Sequence, residues 1–342
     1  MYPRFFIGWR GVEMSLCAYV NYNILTPWLA DLQQDPVVWS VLESEPFARL
    51  ARVSFLGALD HLNPAFKPWR GLRSRADHSL QVAALANFVA AKRGYSGDLK
   101  RHLVVAGLLH DIGHLPLSHS AESCFRVQTG IGHHEQGERI VTGECPFGQA
   151  LNRHLAAHLD VDFLVRLIAG KVGAESGGDL FSSAINIDTI DGIIRAHRCL
   201  TAEKPALDVL RVAQAAFIDE GRHRYDLLDK FWELKDRVYA NFINQPPGLL
   251  ADGFCRSYFA ADAAKIEEDD FCADESLWLG KHHRLFTEIR HIGAGDYVPR
   301  ELAGATISYL NRRYLVDNAA PGFARYRQFR KKKQYNLKDL HD

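Results

Sequence analysis

The sequence predicts an all-α protein. Three observations carry that: apolar residues recur at helical spacing in one stretch after another, residues 99–109 are apolar around nearly their whole circumference, and glycine or proline marks the breaks. At 342 residues the chain is long enough for a large core, with a length prior of about two domains.

Residues 1–45 mix aromatics with Pro3, Pro27 and Pro36 without a clear period and form an N-terminal segment of unassigned role. No long apolar run precedes Trp9-Arg10, so no signal peptide is expected, and no segment approaches the length of a membrane span. A helix over 46–59 carries Phe47, Leu50, Val53, Phe55, Leu56 and Leu59 on one face and Arg49 and Arg52 on the other. Asn63-Pro64, Pro68-Trp69 and Gly71 mark a loop. In the next helix His78 falls on the same stripe as Val82, Leu85, Ala86 and Val89, so it points into the core.

The 99–109 helix, with Asp98 as its expected cap, delivers His110 and Asp111 to the end of a buried element. An imidazole and a carboxylate there need a hydrogen bond, an ion pair or a metal. Gly113 and Pro116 end the helix and carry His114 and His119 into the same neighbourhood. A short helical run over 121–127 breaks at Gly130 and Gly132 before His133-His134-Glu135-Gln136-Gly137, the ingredients of a general acid or base with a tuning carboxylate. A helix over 149–169 places His154 and His158 on its polar face. After a glycine-rich loop, a helix over 181–200 buries Ile187, Ile190 and Ile194, with Asp188, Asp191 and Arg195 on an adjoining stripe, where an Asp191–Arg195 ion pair forms at i, i+4. Residues 205–260 read as helical with a break at Pro246-Pro247-Gly248, residues 267–270 as a solvated acidic loop, and 277–292 as another helix. The basic run Arg325 to Lys333, interleaved with Tyr326, Phe329 and Tyr335, is expected as a solvated tail able to bind nucleic acid or an acidic effector.

Lysine plus arginine equals aspartate plus glutamate at 41 each, so no global field draws the protein to nucleic acid or membrane. The six cysteines, Cys17, Cys124, Cys145, Cys199, Cys255 and Cys272, lie far apart without a CxxC pair, which fits reduced thiols in a cytoplasmic protein.

His78, His110-Asp111 and Asp188 resemble the H, HD and D signature of the HD-domain metal-dependent phosphohydrolases. HDIGHLPLSH followed by His134-Glu135-Gln136-Gly137 is similar to the deoxynucleoside triphosphate triphosphohydrolase branch, whose pattern reads HDxGHxPxSH and then HEQG. The resemblance implies an HD-domain helical bundle as catalytic core over 46–200, with 201–342 adding C-terminal helices and the basic tail. It implies a divalent ion (Mn, Fe, Zn, Ni or Mg) on His78, His110, Asp111 and Asp188, a mixed nitrogen and oxygen donor set. It assigns catalysis to His114, His119 and His134, with Glu135 orienting, and substrate contact to Arg75, in an RxxH segment, and Asp191. The reaction implied is attack of metal-activated water on phosphorus of a nucleotide. The branch continues its last motif as DKxDYxxRD, whereas this chain has Thr189, Gly192 and Ala196 in place of the lysine, tyrosine and final aspartate. Alternatives are a dinuclear phosphodiesterase or oxygenase with added ligands such as His134 and His158, and a non-catalytic nucleotide- or nucleic-acid-binding protein. Subunit number is open, and no membrane partner is expected.

Overall fold

Helix follows helix from Thr26 to Ala294. The computed structural model describes residues 25–62, 73–201, 207–261, 266–295 and 297–337, together with the backbone of two short strands, β1 (Phe6–Trp9) and β2 (Val12–Ser15). The proline-marked loop expected at 63–72 lies outside the described residues. The helices are α1 (Thr26–Gln34), α2 (Pro36–Leu42), α3 (Glu45–Arg49), α4 (Ala58–His61), α5 (Arg75–Lys92), α6 (Gly97–Leu109), α7 (His119–Thr129), α8 (His133–Thr142) and α9 (Gln149–His158). They continue as α10 (Val161–Ile168), α11 (Asp179–Ser182), α12 (Ile187–Thr201), α13 (Val209–Phe217), α14 (Arg224–Val238), α15 (Pro246–Ala260), α16 (Glu275–Lys281) and α17 (His283–Ala294). An antiparallel hairpin, β3 (Thr306–Val316) with β4 (Tyr326–Asn336), closes the described chain, and the fold is all-α with these two hairpins added.

The centre is the crossing of α5 and α6. Sixteen of the residues of α5, Arg75 to Ala90, are buried, so this helix is enclosed on every side. Its start is fixed by a capping box, with Ser74 Oγ accepting from Asp77 N at 3.1 Å and the Asp77 carboxylate accepting from Ser74 N at 3.2 Å. Gly107 lets α6 approach closely: a Cβ there would sit 2.9 Å from the Ala83 Cα. Two apolar clusters surround this crossing. The larger combines α1, α2, α5, α6, α12, α13 and α14, and the other packs α7 against α15, α16 and α17 through Phe125, Phe254, Phe259, Phe271, Trp278 and Phe286. Both draw residues from before and after position 200, so the interior does not divide there.

Several expectations fail locally, each for a visible reason. The helix expected over 46–59 is interrupted: α3 passes into one 3₁₀ turn, and residues 53–57 are extended or turned because Ser54 bridges to Ser74 and gives its N–H to Glu275. Arg49 is therefore buried rather than on an outer face, at 6% exposure. Ser96, not Asp98, caps α6, accepting from Leu99 N at 3.2 Å. The 149–169 helix splits at extended Leu159, where Asp160 recaps α10 through Phe163 N. The 277–292 helix splits at His282, and the 181–200 helix is broken between α11, which ends at Ser182, and α12, which starts at Ile187. Pro27 and Pro36, in the stretch without a clear period, lie in the first turns of α1 and α2, since a first-turn proline loses no helical hydrogen bond. The basic tail is β4, paired from Tyr326 with Val316 to Asn336 with Thr306. Tyr314 and Tyr326 pack their rings on Trp232 of α14 at 5.3 and 5.1 Å, which anchors the hairpin. Among the described residues no helix is long and apolar enough to cross a membrane, and five cysteines are free thiols.

Glu275, fully buried at the start of α16, ties three segments together. Its carboxylate accepts from Ser54 N at 2.8 Å, Ser54 Oγ at 2.5 Å and Leu117 N at 3.1 Å, and meets His61 Nε2 at 2.9 Å. Burial alone would raise its carboxyl, but the charge and hydrogen bond of His61 and the bonds from Ser54 outweigh burial and lower it. A carboxyl lowered in the folded state stabilises above its unfolded value of about 4.3 and loses that contribution as pH falls below it. Glu275→Gln should cost about 2–4 kcal/mol at pH 7. In urea melts at pH 7, 5 and 3.5 the gap to wild type should narrow at the lowest pH, and a gap independent of pH would refute the ionised network.

Candidate metal centre and its pocket

The structure brings together the four side chains expected to share an ion. His78, in the first turn of α5, has Nε2 at 3.0 Å from Asp188 Oδ1, 3.2 Å from His110 Nε2 and 3.7 Å from Asp111 Oδ2. His110 follows the last residue of α6, and its Nε2 lies 3.6 Å from Asp111 Oδ1 and 3.8 Å from Asp188 Oδ1. His78, His110 and Asp111 are nearly enclosed, while the Asp188 side chain is 52% exposed and opens the cluster to solvent.

Hydrogen bonding fixes which ring nitrogens face inward. His110 Nδ1 donates to Gly107 O at 2.9 Å, and His78 Nδ1 donates to Asp191 Oδ2 at 2.6 Å. Both Nε2 lone pairs and two carboxylates thus converge on one space with nothing but acceptors. Such a set repels itself in a greasy interior unless a cation joins it. Without a metal that cation is a proton. Burial disfavours charge on His78, but hydrogen bonds to Asp188 and Asp191 more than offset it and raise the imidazole to about 9. The donor set, two imidazole nitrogens with two carboxylates, fits a divalent transition ion.

The neighbours of this cluster hold it in place. Asp191 is fully buried, taking Arg195 Nε at 2.7 Å on the oxygen that also meets His78, while Arg195 Nη2 reaches Asp77 O at 3.1 Å. The Asp191–Arg195 pair forms as the spacing predicted, but Asp191 does not reach the pocket, so its expected substrate contact is replaced by orienting His78. Arg75 is buried against the cluster, with Nη1 at 2.6 Å from Asp111 Oδ2 and Nε at 3.1 Å from Ser118 Oγ, and it lines the pocket. Burial works against ionising Asp111, but the charges of His110 and Arg75 outweigh it and hold the carboxyl well below the usual range.

The turn after Asp111 is held tightly. Buried Arg49 donates to Ile112 O and His114 O, both at 2.7 Å, satisfying buried carbonyls of the turn that follows α6. Leu117 and Ser118 take φ of 58° and 46°, a left-handed conformation costing about 1–3 kcal/mol each, and Glu275 and Ser54 O hold it in place. Gly113 admits α8 at van der Waals contact, since a Cβ there would lie 2.0 Å from His133 O. That contact stacks His133 on His114, with ring centroids 4.0 Å apart and planes at 11°. His134, the expected position, lies outside it and is exposed, touching the His133 ring. Burial, Arg75 and His133 push the His114 imidazole well below its usual value, and its Nε2 lies 3.3 Å from Asp111 Oδ1.

The carboxylate serving the histidines is Glu122, which meets His119 Nδ1 at 3.0 Å and His133 Nδ1 at 2.7 Å. Glu135, the expected orienter, instead pairs with Arg126 and accepts from Gly132 N at the start of α8. The signal for Glu122 was available, since His119 and Glu122 stand three apart at the start of a helix. His158 is exposed and joins neither of the clusters, among the described residues, that could hold a metal: His78 with His110 and Asp111, and His114 with His119 and His133.

A cavity of about 730 Å³ opens beside Asp188. Phe55, packed on the His78 ring at 4.9 Å, lies on one wall with Arg75, His119 and Glu122. Thr189, Gly192 and Ala196 give α12 an uncharged face there, and a Cβ on Gly192 would meet nothing closer than 3.8 Å. The far wall comes from α14, α15 and β3, with Lys235, Tyr239, Arg256 and Arg312.

Residues 75–198 match the family model of the HD domain. An uncharacterised protein of Mycoplasma pneumoniae is 35% identical over 174 residues, covering 48% of this chain and 39% of that protein. A deoxyguanosinetriphosphate triphosphohydrolase-like protein of Rickettsia canadensis is 33% identical over 104 residues, 29% of this chain and 25% of its own. The chain thus spans well under half the length of these curated relatives. A crystal structure of a hypothetical protein from Aquifex aeolicus superposes with a TM-score of 0.66 at 17% identity, covering 90% of this chain and 94% of the other, which shows a shared fold. His78, His110, Asp111 and Asp188 all fall inside the segment that matches the HD domain.

Proposed function

We propose that this chain is a metal-dependent phosphohydrolase acting on a nucleotide, with a nucleoside triphosphate as the favoured substrate. The observation that carries it is the convergence of His78, His110, Asp111 and Asp188 beside a cation-lined pocket. The name of the Rickettsia relative supports the triphosphate, while Thr189, Gly192 and Ala196 leave the base and sugar open. A bound divalent ion would acidify water and neutralise phosphate charge. The chain supplies the rest. His119 presents Nε2 to the pocket because its Nδ1 is held by Glu122, and that carboxylate offsets part of the burial that lowers the imidazole, so the ring can pass a proton to the leaving oxygen. Arg75 fixes Asp111 and adds positive charge to the same wall.

A single ion fits this site better than two. The second histidine group includes the stacked rings of His114 and His133, whose in-plane lone pairs run side by side instead of meeting at one point.

Purified protein supplied with Mn, Fe, Ni, Zn or Mg should hydrolyse nucleoside triphosphates in a screen that also holds mono- and diphosphates and cyclic phosphodiesters, and a chelator should abolish turnover. Absence of turnover on every phosphorylated compound would remove the enzyme reading. Elemental analysis should find one ion per chain. His119→Ala should lower kcat by about 10²–10⁴-fold with metal content intact. Asp191→Asn removes no ligand, yet should weaken the ion's affinity by about 10–100-fold in competition with a chelating dye, and unchanged affinity would show that Asp191 does not orient His78.

A further inference from the structure

Among the described residues, two cations facing the pocket, Lys235 and Arg312, have neither a carboxylate nor a backbone carbonyl as partner. Arg75 is matched by Asp111, Arg126 by Glu135, and Arg256 donates to Ser308 O. Lys235 has no carboxylate within ion-pair distance among the described residues, and its ammonium lies 4.7 Å from the Trp232 ring centroid and 4.6 Å from that of Tyr314. Arg312 donates to the Tyr239 hydroxyl at 3.3 Å and lies over the same ring. Holding cations partly out of water without countercharge is unfavourable. Burial pushes the Lys235 ammonium down to about 8, with Asp188 opposing and Arg312 and Arg330 adding to the fall. Register extends the charge, because Arg330 stands directly opposite Arg312, and Lys332 opposite the pocket-lining Leu310. Directly opposed residues share a sheet face, so β4 continues the positive wall outward.

We infer that Lys235 and Arg312 form a subsite for the phosphate chain of an oligophosphate, with Arg330 as its outer contact, so that the pocket selects three linked phosphates over one. The subsite rests on the hydrolase reading for its role in turnover, but not for binding. The opposite wall supports it, because α12 offers only Thr189, Gly192, Ile193 and Ala196 beyond Asp188 and so no cation of its own. The aromatic bed of Trp232, Tyr314 and Tyr239 fixes both side chains, which limits the ordering cost of binding. It also gives the basic strand a place inside the fold, where free nucleic acid is not needed to account for it.

The test is calorimetric titration of the full chain, with divalent ion in excess, by inorganic tripolyphosphate and by orthophosphate. Lys235→Met and Arg312→Gln should each weaken tripolyphosphate by about tenfold or more, leave orthophosphate within about twofold and keep the bound metal, and Lys235→Arg should restore most of the loss. Two separate variants guard against one that folds poorly. Tripolyphosphate affinity unchanged in both overturns the subsite, as does a single-stranded oligonucleotide that binds wild type more tightly than tripolyphosphate and loses its affinity in Arg312→Gln. If Lys235 and Arg312 govern tripolyphosphate binding but no nucleotide is turned over, the subsite stands and the hydrolase reading falls. If nucleoside triphosphate is hydrolysed with KM unchanged in both variants, the hydrolase stands and the subsite falls.

Discussion

Four acceptors pointed at one another inside an apolar bundle are the constraint on which the rest of the structure depends. His78, His110, Asp111 and Asp188 lie 3.0 to 3.8 Å apart, an arrangement that needs positive charge among them, from a proton on His78 or a bound cation, with Arg75 beside Asp111 supplying part of it. The close crossing of α5 and α6 at Gly107 and Ala83 brings the two histidines together. The Asp191–Arg195 pair, buried at 0 and 1% exposure, turns the His78 ring from behind. Each of these devices is costly alone: a buried carboxylate, a buried guanidinium and a crowded helix crossing. Together they satisfy one another, which is why the site reads as preorganised.

The second constraint is the turn from Asp111 to His119, which couples the ion cluster to the histidines beside it. Asp111 Oδ1 lies 3.3 Å from His114 Nε2 and 3.6 Å from His110 Nε2, and Arg75 bridges from Asp111 to Ser118 Oγ. Leu117 and Ser118 hold positive φ because Glu275 accepts from Leu117 N and Ser118 Oγ is fixed between Ser54 O and Arg75, all from elements outside the turn. A change at α16 therefore acts on the geometry at His119 through two hydrogen bonds, without touching either the cluster or the pocket.

The parts of this design legible in the sequence are those written in local spacing. His78 on an apolar stripe, His110-Asp111 at the end of a buried helix and the Asp191–Arg195 pair at i, i+4 were all predictable from position within a helix. What depends on distant contacts was not. The His119–Glu122 spacing is local, but only the packing of α8 on Gly113 brings His133 to the same carboxylate while Glu135 caps its own helix. The same packing chooses His133 over His134. The β3–β4 hairpin was missed because its second strand is so charged that composition points to a solvated tail, and its buried side amounts to little more than Tyr314 and Tyr326.

Charge distribution joins these levels. A chain with equal numbers of acidic and basic residues has no overall field, so a positive potential at the pocket has to be built locally, against the acidic cluster around Asp188. The hairpin answers this by pinning Arg312 to α14 through two tyrosines and placing Arg330 beside it. The matched HD segment ends at residue 198, yet Lys235, Tyr239, Arg256 and Arg312 form the far wall of the cavity. The pocket is therefore built from two stretches of the chain: the His78, His110, Asp111 and Asp188 cluster with Arg75 and His119 lies within the matched segment, while the facing wall comes from elements that relatives matched over that segment alone need not share.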